Sequence, residues 1–404
     1  MTVCGIVAEY NPFHAGHAYH IAATRRILGT NTAIVCAMSG NYVQRGDLSV
    51  LEKYARAEAA VCCGADLVLE TPLAACLSSA EGFTRGAAAL LDALGCVTHL
   101  SFGAETADLA LLRRAAGLAC ADGTHAAALR QALDAGLPYA AAMQQAVSAA
   151  DPAAGALLAS PNNTLAVEYL RALNVLGSRM QPLAIERQGG AHDSDTPADG
   201  LPSASYLRRL LADGQAEACC PLMPAASFAV LWWEMQRGAA PVTRGAVDQA
   251  VLAHLRRLDA AALLPFCGGD DGLAHRLADA VRDSASFAAA CTAAQTRRYP
   301  LARVRRVLLR AWLDLPQSVP PLPCYVRVLA IGRQGRTLLR RMKETCALPV
   351  IVRPVTEHGL PADLQPALRR DALADDLYAL AFPAPGLRTG GGHYRKTPFC
   401  LPEG

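Results

Sequence analysis

The chain has 404 residues, 52% of them hydrophobic and 18% charged, with a net charge of +3. That length supports two or three domains with their own cores, and the composition excludes a disordered chain. There is no run of about 18 apolar residues, so no membrane-spanning helix is expected.

The first 20 residues contain Glu9 and three histidines where a signal peptide would carry a basic start and an apolar stretch, and a cytoplasmic protein is expected. The 14 cysteines show no CxxC spacing, include adjacent pairs at 62–63 and 219–220, and sit mostly in apolar runs. They read as reduced core residues.

In chain order, short β-rich runs alternate with helical patterns over the first 220 residues, as in a parallel α/β sheet. Strands are predicted at 4–10, 32–38, 66–72, 97–103 and 182–188, and helices at 13–28, 50–64, 77–95 and 163–176. The Ala- and Leu-rich residues 106–150 read as inserted or capping helices, and 189–202 as a loop before a last helix at 203–213.

Beyond 221 the pattern becomes mainly helical, at 225–237, 243–258, 272–294 and 301–313. Strands at 325–332 and 348–354 around a helix at 334–345 then form a small βαβ unit, and "GGG" at 390–392 reads as a flexible tail. The expected fold class is α/β. A Rossmann-like parallel-sheet domain spans 1–218 with a helical insertion at 106–158, and a mainly helical, basic C-terminal domain spans 219–404. The Pro-rich stretch 316–323 is a second hinge candidate.

Charge is uneven along the chain. Arg297 to Thr345 holds 12 Lys or Arg against Asp314 and Glu344, a local balance of +10. Such a segment is the electrostatic footprint of a polyanion partner, with a solvated helix face as the alternative.

The most informative stretch is "AEYNPFHAGHAYH", residues 8–20. An apolar strand ends near Tyr10, "NPFHAG" turns, and a helix begins around Gly16 or His17. A helix N-terminus offers free N–H groups and a positive dipole end, and glycine admits close backbone approach. His14 and His17 then flank a phosphate-binding corner, each able to donate a hydrogen bond and, when protonated, to offset phosphorus-centred charge. Packing histidines, or His14, His17 and His20 as metal ligands, are the competing readings. Carboxylates at suitable spacing are lacking beyond Glu9, and no metal site is expected.

His-x-Gly-His after a first strand resembles the HIGH-type motif of the nucleotidyltransferase and class I aminoacyl-tRNA synthetase superfamily. The longer string "GIVAEYNPFHAGHAYHI" resembles the bacterial tRNA(Met) cytidine acetate ligase family. The likeness continues through 38–72, "LSFGAE" (100–105), "SPNNTLAVEYLRAL" (160–173), "RRYPLARVRRVLLR" (297–310) and "VRVLAIGRQGRTLLRRMK" (326–343). It weakens at 106–150, at 220–290 and after 383. It implies an ATP-dependent ligase that activates acetate and acetylates N4 of the wobble cytidine of elongator tRNA(Met), with Mg2+ accompanying ATP.

Carried over by position, the resemblance implies an ATP site lined by Val7, Ala8, Glu9, Tyr10, Asn11, Pro12, Phe13, His14, Ala15, Gly16, His17, Ala18, Tyr19 and His20. His14 and His17 would be the catalytic pair. Gly103 follows the fourth strand, where a doubly wound sheet presents ligand contacts, or is a turn glycine. Asn162 would donate to adenine or ribose, or caps its helix together with Ser160 or Asn163. Arg187 would meet phosphate or adenosine, or is a surface arginine.

"SASYLRR" (203–209) takes the place of the second superfamily signature, with Ser205 where threonine is usual. Ser203, Ser205 and Arg208 would hold the β- and γ-phosphates, with Ser203 as a plain cap the alternative. Gln44, Arg45, Asp47, Lys53 and Arg56 follow the second strand, where such sheets recognise the acyl acceptor or pyrophosphate. Arg297, Arg298, Arg303, Arg305, Arg306 and Arg310 are the candidate tRNA contacts.

Two other functions fit part of the pattern. A cofactor-forming nucleotide adenylyltransferase shares His-x-Gly-His but has no use for an extended basic surface. A non-catalytic, nucleotide-regulated RNA-binding protein differs from the ligase only in turnover.

Overall fold

The first half runs β1 (Val3–Ala8), α1 (Ala15–Leu28), β2 (Ala33–Ser39), the hairpin strands β3 (Tyr42–Val43) and β4 (Asp47–Leu48), α2 (Lys53–Cys62), β5 (Leu67–Thr71), α3 (Leu73–Cys76), α4 (Ala80–Ala93) and β6 (His99–Ala104). Four helices follow as the insertion: α5 (Leu109–Leu118), α6 (Ala126–Asp134), α7 (Tyr139–Ala150) and α8 (Pro152–Leu157). Then come α9 (Pro161–Leu176), β7 (Gln181–Glu186) and α10 (Ala204–Ala212).

The second half holds α11 (Ala225–Gln236), α12 (Asp248–Leu255), α13 (Ala260–Leu263), α14 (Asp271–Asp283), α15 (Phe287–Ala294) and α16 (Leu301–Trp312). It closes with β8 (Val326–Ile331), α17 (Gly335–Thr345), β9 (Val350–Ile351), α18 (Gln365–Ala379) and β10 (Phe399–Cys400). This computed structural model describes residues 1–119, 126–188, 202–353, 359 and 361–402, so the expected loop at 189–202 lies outside the described residues except for Pro202.

The strands form one sheet in the order β10-β8-β5-β2-β1-β6-β7, with β9 beside β8. From β5 to β7 every pairing is parallel. Along β2, Ala33, Val35 and Ala37 pack into one core while Ile34, Cys36 and Met38 pack into another. Period-two alternation with both faces covered is why this strand reads as an unbroken apolar run. The α9 helix starts with Pro161 at its first position and ends on Gly177 at φ +58°, a left-handed stop that glycine adopts without strain.

Three expectations change. The helix expected over 272–294 is two helices, because Ser286 Oγ caps α15 by accepting from Ala289 N at 3.1 Å. The small βαβ unit forms, but β8 pairs antiparallel with β5, so the sheet crosses the boundary expected near 218. The "GGG" segment is no flexible tail: His393 is fully buried beside it, and β10 pairs with β8.

The described cysteines are free thiols, buried at 4, 36, 76, 96, 219, 267 and 291 and exposed at 220 and 400. Among the described residues, no helix is long and apolar enough to cross a membrane.

Candidate active site

The loop after β1 is held by contacts within the chain. Tyr10 sits at φ +46°, a left-handed conformation that costs a non-glycine residue about 1 kcal/mol or more, and its surroundings hold it there. Its ring is buried against Phe13 and His17, at centroid distances of 4.7 and 4.8 Å, with its hydroxyl 3.3 Å from Cys36 Sγ.

Three carbonyls of the loop are engaged by donors from three helices. Arg56 donates to Glu9 O, Arg208 to Asn11 O at 2.9 Å, and Ser227 Oγ to Phe13 O at 2.9 Å. Val50 N donates to Asn11 Oδ1 at 2.8 Å, and Gln44 N to the Glu9 carboxylate at 2.8 Å. The backbone course from residue 9 to residue 13 is therefore set by side chains far away in sequence.

Helix α1 then opens on His14 itself. Gly16 N donates to His14 Nδ1 at 3.1 Å, and His14 N donates to His17 Nδ1 at 3.2 Å. This is a reciprocal cap built from imidazoles instead of hydroxyl and carboxylate. Because each Nδ1 accepts, the proton of each neutral ring sits on Nε2. The two rings lie 3.8 Å apart at 31°.

A Cβ on Gly16 would stand 2.9 Å from His14 Cε1, so the glycine makes room for the capping ring. This packing reason stands beside the expectation that Gly16 serves ligand approach. Burial first, then the repulsion that a proton on His17 would share with one on His14, with the Arg187 cation and with one on His20, holds His17 well below the usual histidine range. That lowering disfavours the protonated His17 on which the charge-offsetting part of the expectation depended, and does not bear on its expected hydrogen-bond donation.

The next turn of α1 faces β6. His20 Nε2 and Ser101 Oγ are 2.8 Å apart, Thr24 Oγ1 adds a 3.0 Å bond to the same hydroxyl, and burial with Arg187 nearby lowers His20 to about 4. Gly103 lies inside β6, one residue before its end, and a Cβ there would stand 3.2 Å from Arg187 Cγ. A close crossing of Arg187 over the strand, and no turn, explains this glycine.

Asn162 Nδ2 donates to Glu105 Oε1 at 2.6 Å and Asn163 N to Glu105 Oε2 at 2.9 Å, while Ser160 makes no side-chain cap bond. Glu105 thus holds the N-terminus of α9 at the end of β6. It stands inside "SFGAE" but carries no motif of its own.

Other expected residues sort by burial. Ser203 Oγ caps α10 by accepting from Tyr206 N at 3.1 Å, and Ser205 Oγ accepts from Arg208 at 3.0 Å, which presents Arg208 to the loop. Lys53 is fully buried between Glu70 (2.8 Å) and Asp375 (2.6 Å); burial opposes its charge, but the two carboxylates outweigh it and keep it protonated. Arg56 is fully buried and spends its donors on the carbonyls of Leu51, Glu9 and Gly40, and Asp47 pairs with Arg244. Gln44 donates to Ser78 O at 3.2 Å. In this structure Asp47, Lys53 and Arg56 spend their charges on partners within the protein, and Gln44 N holds the Glu9 carboxylate. Arg45 sits beside them in the hairpin turn that Gly46 closes at φ +73°.

Of the basic set, Arg297 and Arg298 are exposed, and Arg303 pairs with Asp270 at 3.2 Å. Arg305 and Arg306 press against the turn at Gly46, with Arg306 donating to Gln44 O. Arg310 contradicts its expected role. It is buried, donates to the carbonyls of Ala74, Leu77 and Pro316, and is pushed down to about 10 by that burial. It satisfies carbonyls at the end of α3, a place no polyanion reaches.

A strand-to-helix corner with paired histidines, between β1 and β6 of a doubly wound sheet, lies where such sheets take nucleotides. A family model described as HIGH Nucleotidyl Transferase matches residues 1–390, and the fold and corner are those of that class. A curated tRNA(Met) cytidine acetate ligase of Acetivibrio thermocellus is 30% identical over 98% of this chain and 99% of its own length. Another from Syntrophomonas wolfei is 32% identical, again over 98% and 99%. The crystal structure of Thermotoga maritima TmcAL (apo, form I) matches at TM-score 0.92 and 27% identity over 99% of this chain and 100% of that one. The same protein bound with alpha-thio ATP matches at 0.91. The chain belongs to the tRNA(Met) cytidine acetate ligase family.

Proposed function

We propose that this chain ligates acetate to the wobble cytidine of elongator tRNA(Met) at the expense of ATP. Acetate attacks the α-phosphorus, the bond to the β-phosphate oxygen breaks, and acetyl-adenylate and pyrophosphate form. The N4 amino group then attacks the acetyl carbonyl, loses a proton and expels AMP. The observation that carries the reading is the imidazole cap, which leaves two rings with Nε2 protons at a helix N-terminus.

A carboxylate is already a nucleophile, so the first step needs positioning and charge stabilisation more than a base. His14 and His17 supply neutral donors for the growing charge, and Arg187 supplies a cation beside them. In this reading Asn162, held by Glu105, serves adenine or ribose, and Ser203, Ser205 and Arg208 serve the outer phosphates, as the family motifs suggest. Magnesium would arrive bound to the triphosphate. The nearby carboxylates, Glu9 and Glu105, already accept from backbone N–H groups, which suits them to orienting the loop more than to a cage of their own.

Exposed Arg297 and Arg298, with Arg303, are suited to tRNA phosphates. Arg298 and Arg303 line a cleft of about 500 Å³ against Leu137 and Tyr139 of the helical insertion. Contact with RNA would then be shared by the insertion and the basic segment.

The test is direct. Purified protein with ATP, magnesium, labelled acetate and elongator tRNA(Met) should yield N4-acetylcytidine, AMP and pyrophosphate. Label entering tRNA from acetyl-CoA in the absence of ATP would overturn the proposal.

A further inference from the structure

The segment 41–53, which touches the loop carrying the histidine corner, is tied to a helix 334 residues further along the chain by the bond between Asn41 and Asp375. Asn41 Nδ2 donates to Asp375 Oδ1 at 2.9 Å, while its Oδ1 accepts from Lys53 N at 2.8 Å. The Asn41 carbonyl accepts both the backbone N (3.0 Å) and the hydroxyl (3.2 Å) of Ser49. Tyr378 OH donates to Ser49 O at 2.9 Å, and Tyr42 OH donates to Ala374 O at 3.0 Å.

From this braced segment two links run straight to the corner. Val50 N reaches Asn11 Oδ1, and Arg56 joins Leu51 O to Glu9 O and Gly40 O. Asn41, Ser49, Arg56 and Tyr378 are all buried. Water therefore cannot replace a bond that is lost.

We propose that α18 is a positioning element of the adenylating site, in which Asp375 and Tyr378 set the 41–53 segment and, through Asn11 and Arg56, the seat of His14. The inference rests on the adenylation reading above. Neither residue touches the reacting atoms. A buried set of Lys53, Glu70, Asp375 and His393 is costly to desolvate, and apolar side chains of the same volume are often as stable. What apolar side chains could not supply is direction. The bonds from Asp375 and Tyr378 end on Asn41 and Ser49, and both of these lead to the corner.

The experiment uses the full chain and Tyr378→Phe, which removes one hydroxyl and keeps the ring. Leu368→Val, on the same helix but with no bond to the segment, is the stability control. Acetate-dependent ATP–pyrophosphate exchange should lose about five- to tenfold in kcat for Tyr378→Phe, with KM for acetate unchanged, as one directional bond implies. Leu368→Val should keep full exchange per folded molecule.

In a His14→Ala background, Tyr378→Phe should cost nothing further, because both changes act on the same group. Backbone amides of Ser49, Val50 and Lys53 should exchange hydrogen faster in Tyr378→Phe. Unchanged kcat, an equal loss in Leu368→Val, or a full additional loss on top of His14→Ala would overturn the proposal. If the parent chain shows no acetate-dependent exchange, the adenylation reading falls first. Amide protection at 49, 50 and 53 then decides the brace by itself, and unchanged protection refutes it.

Discussion

Replacing Gly16 with alanine separates what holds the corner together from what the corner does. The added Cβ would meet His14 Cε1 at 2.9 Å and Nδ1 at 3.1 Å, and the His17 ring lies 3.8 Å from the displaced imidazole. The ring must leave its place, and the bond from Gly16 N goes with it. Losing a cap bond costs about 0.5–2 kcal/mol, while alanine in place of glycine in a helix returns up to about 1 kcal/mol. The two nearly cancel, so the melting temperature should move little. Catalysis has no such offset. A transition-state donor moved off its mark costs about 10²- to 10³-fold in kcat. Acetate-dependent ATP–pyrophosphate exchange and thermal denaturation, run on one preparation, read both quantities. A Gly16→Ala protein that keeps kcat and only raises KM for ATP would show that the glycine serves ligand approach and that His14 is not seated as described.

Replacing Arg297 and Arg298 together should weaken tRNA binding and lower its salt dependence by up to about two phosphate contacts, with exchange activity retained. Arg310→Gln should instead lower the melting temperature, because buried carbonyls of Ala74, Leu77 and Pro316 lose their donor at about 1–3 kcal/mol for an unsatisfied group; a tRNA-binding defect without destabilisation would contradict its placement. His20 is neutral in the fold, its value lowered to about 4, whereas in an unfolded chain histidine titrates near 6.5. The unfolded state binds the extra proton, so this stability is fully present above about pH 6.5 and is lost as the pH falls toward 4. The melting temperature should drop between about pH 7 and about pH 5, and His20→Gln should flatten that drop; an identical drop in the variant would refute it.

The parallel core was legible because its signal is local. The strands β1, β2 and β5 are mainly apolar runs bounded by turn residues, and burial on both faces makes such runs continuous. The two-residue hairpin strands β3 and β4 carry no such signal. The corner was legible for the same reason, since strand, turn, histidines and helix fall within 20 consecutive residues. The brace was not. Asn41 with Asp375, Tyr378 with Ser49 and Arg310 with Ala74 are each pairs of ordinary residues more than 200 positions apart. Periodicity carries no information on such pairings. Arg310 shows the consequence: an arginine in a basic run looks like its neighbours until the packing of α16 turns it inward. The same limit hid the place of β8. Its six residues read correctly as a strand, yet nothing in VRVLAI says that its partner is β5 or that the pairing is antiparallel.

Residue 14 shows how far folding alone determines this site. The N-terminus of α1 needs an acceptor for the Gly16 N–H, and serine, threonine or aspartate would serve at least as well. Aspartate would cap the helix and place a negative charge where the proposed reading puts a triphosphate. Serine would cap it with a single short hydroxyl, engaged at the helix. Imidazole meets both demands with one rigid ring, accepting from the helix at Nδ1 and keeping a proton on the opposite nitrogen. His17 repeats the device by accepting from His14 N, so the two rings fix each other's tautomer through the backbone. Stability would have been content with a better cap at 14. On the proposed adenylation reading, the histidine there answers to the phosphate.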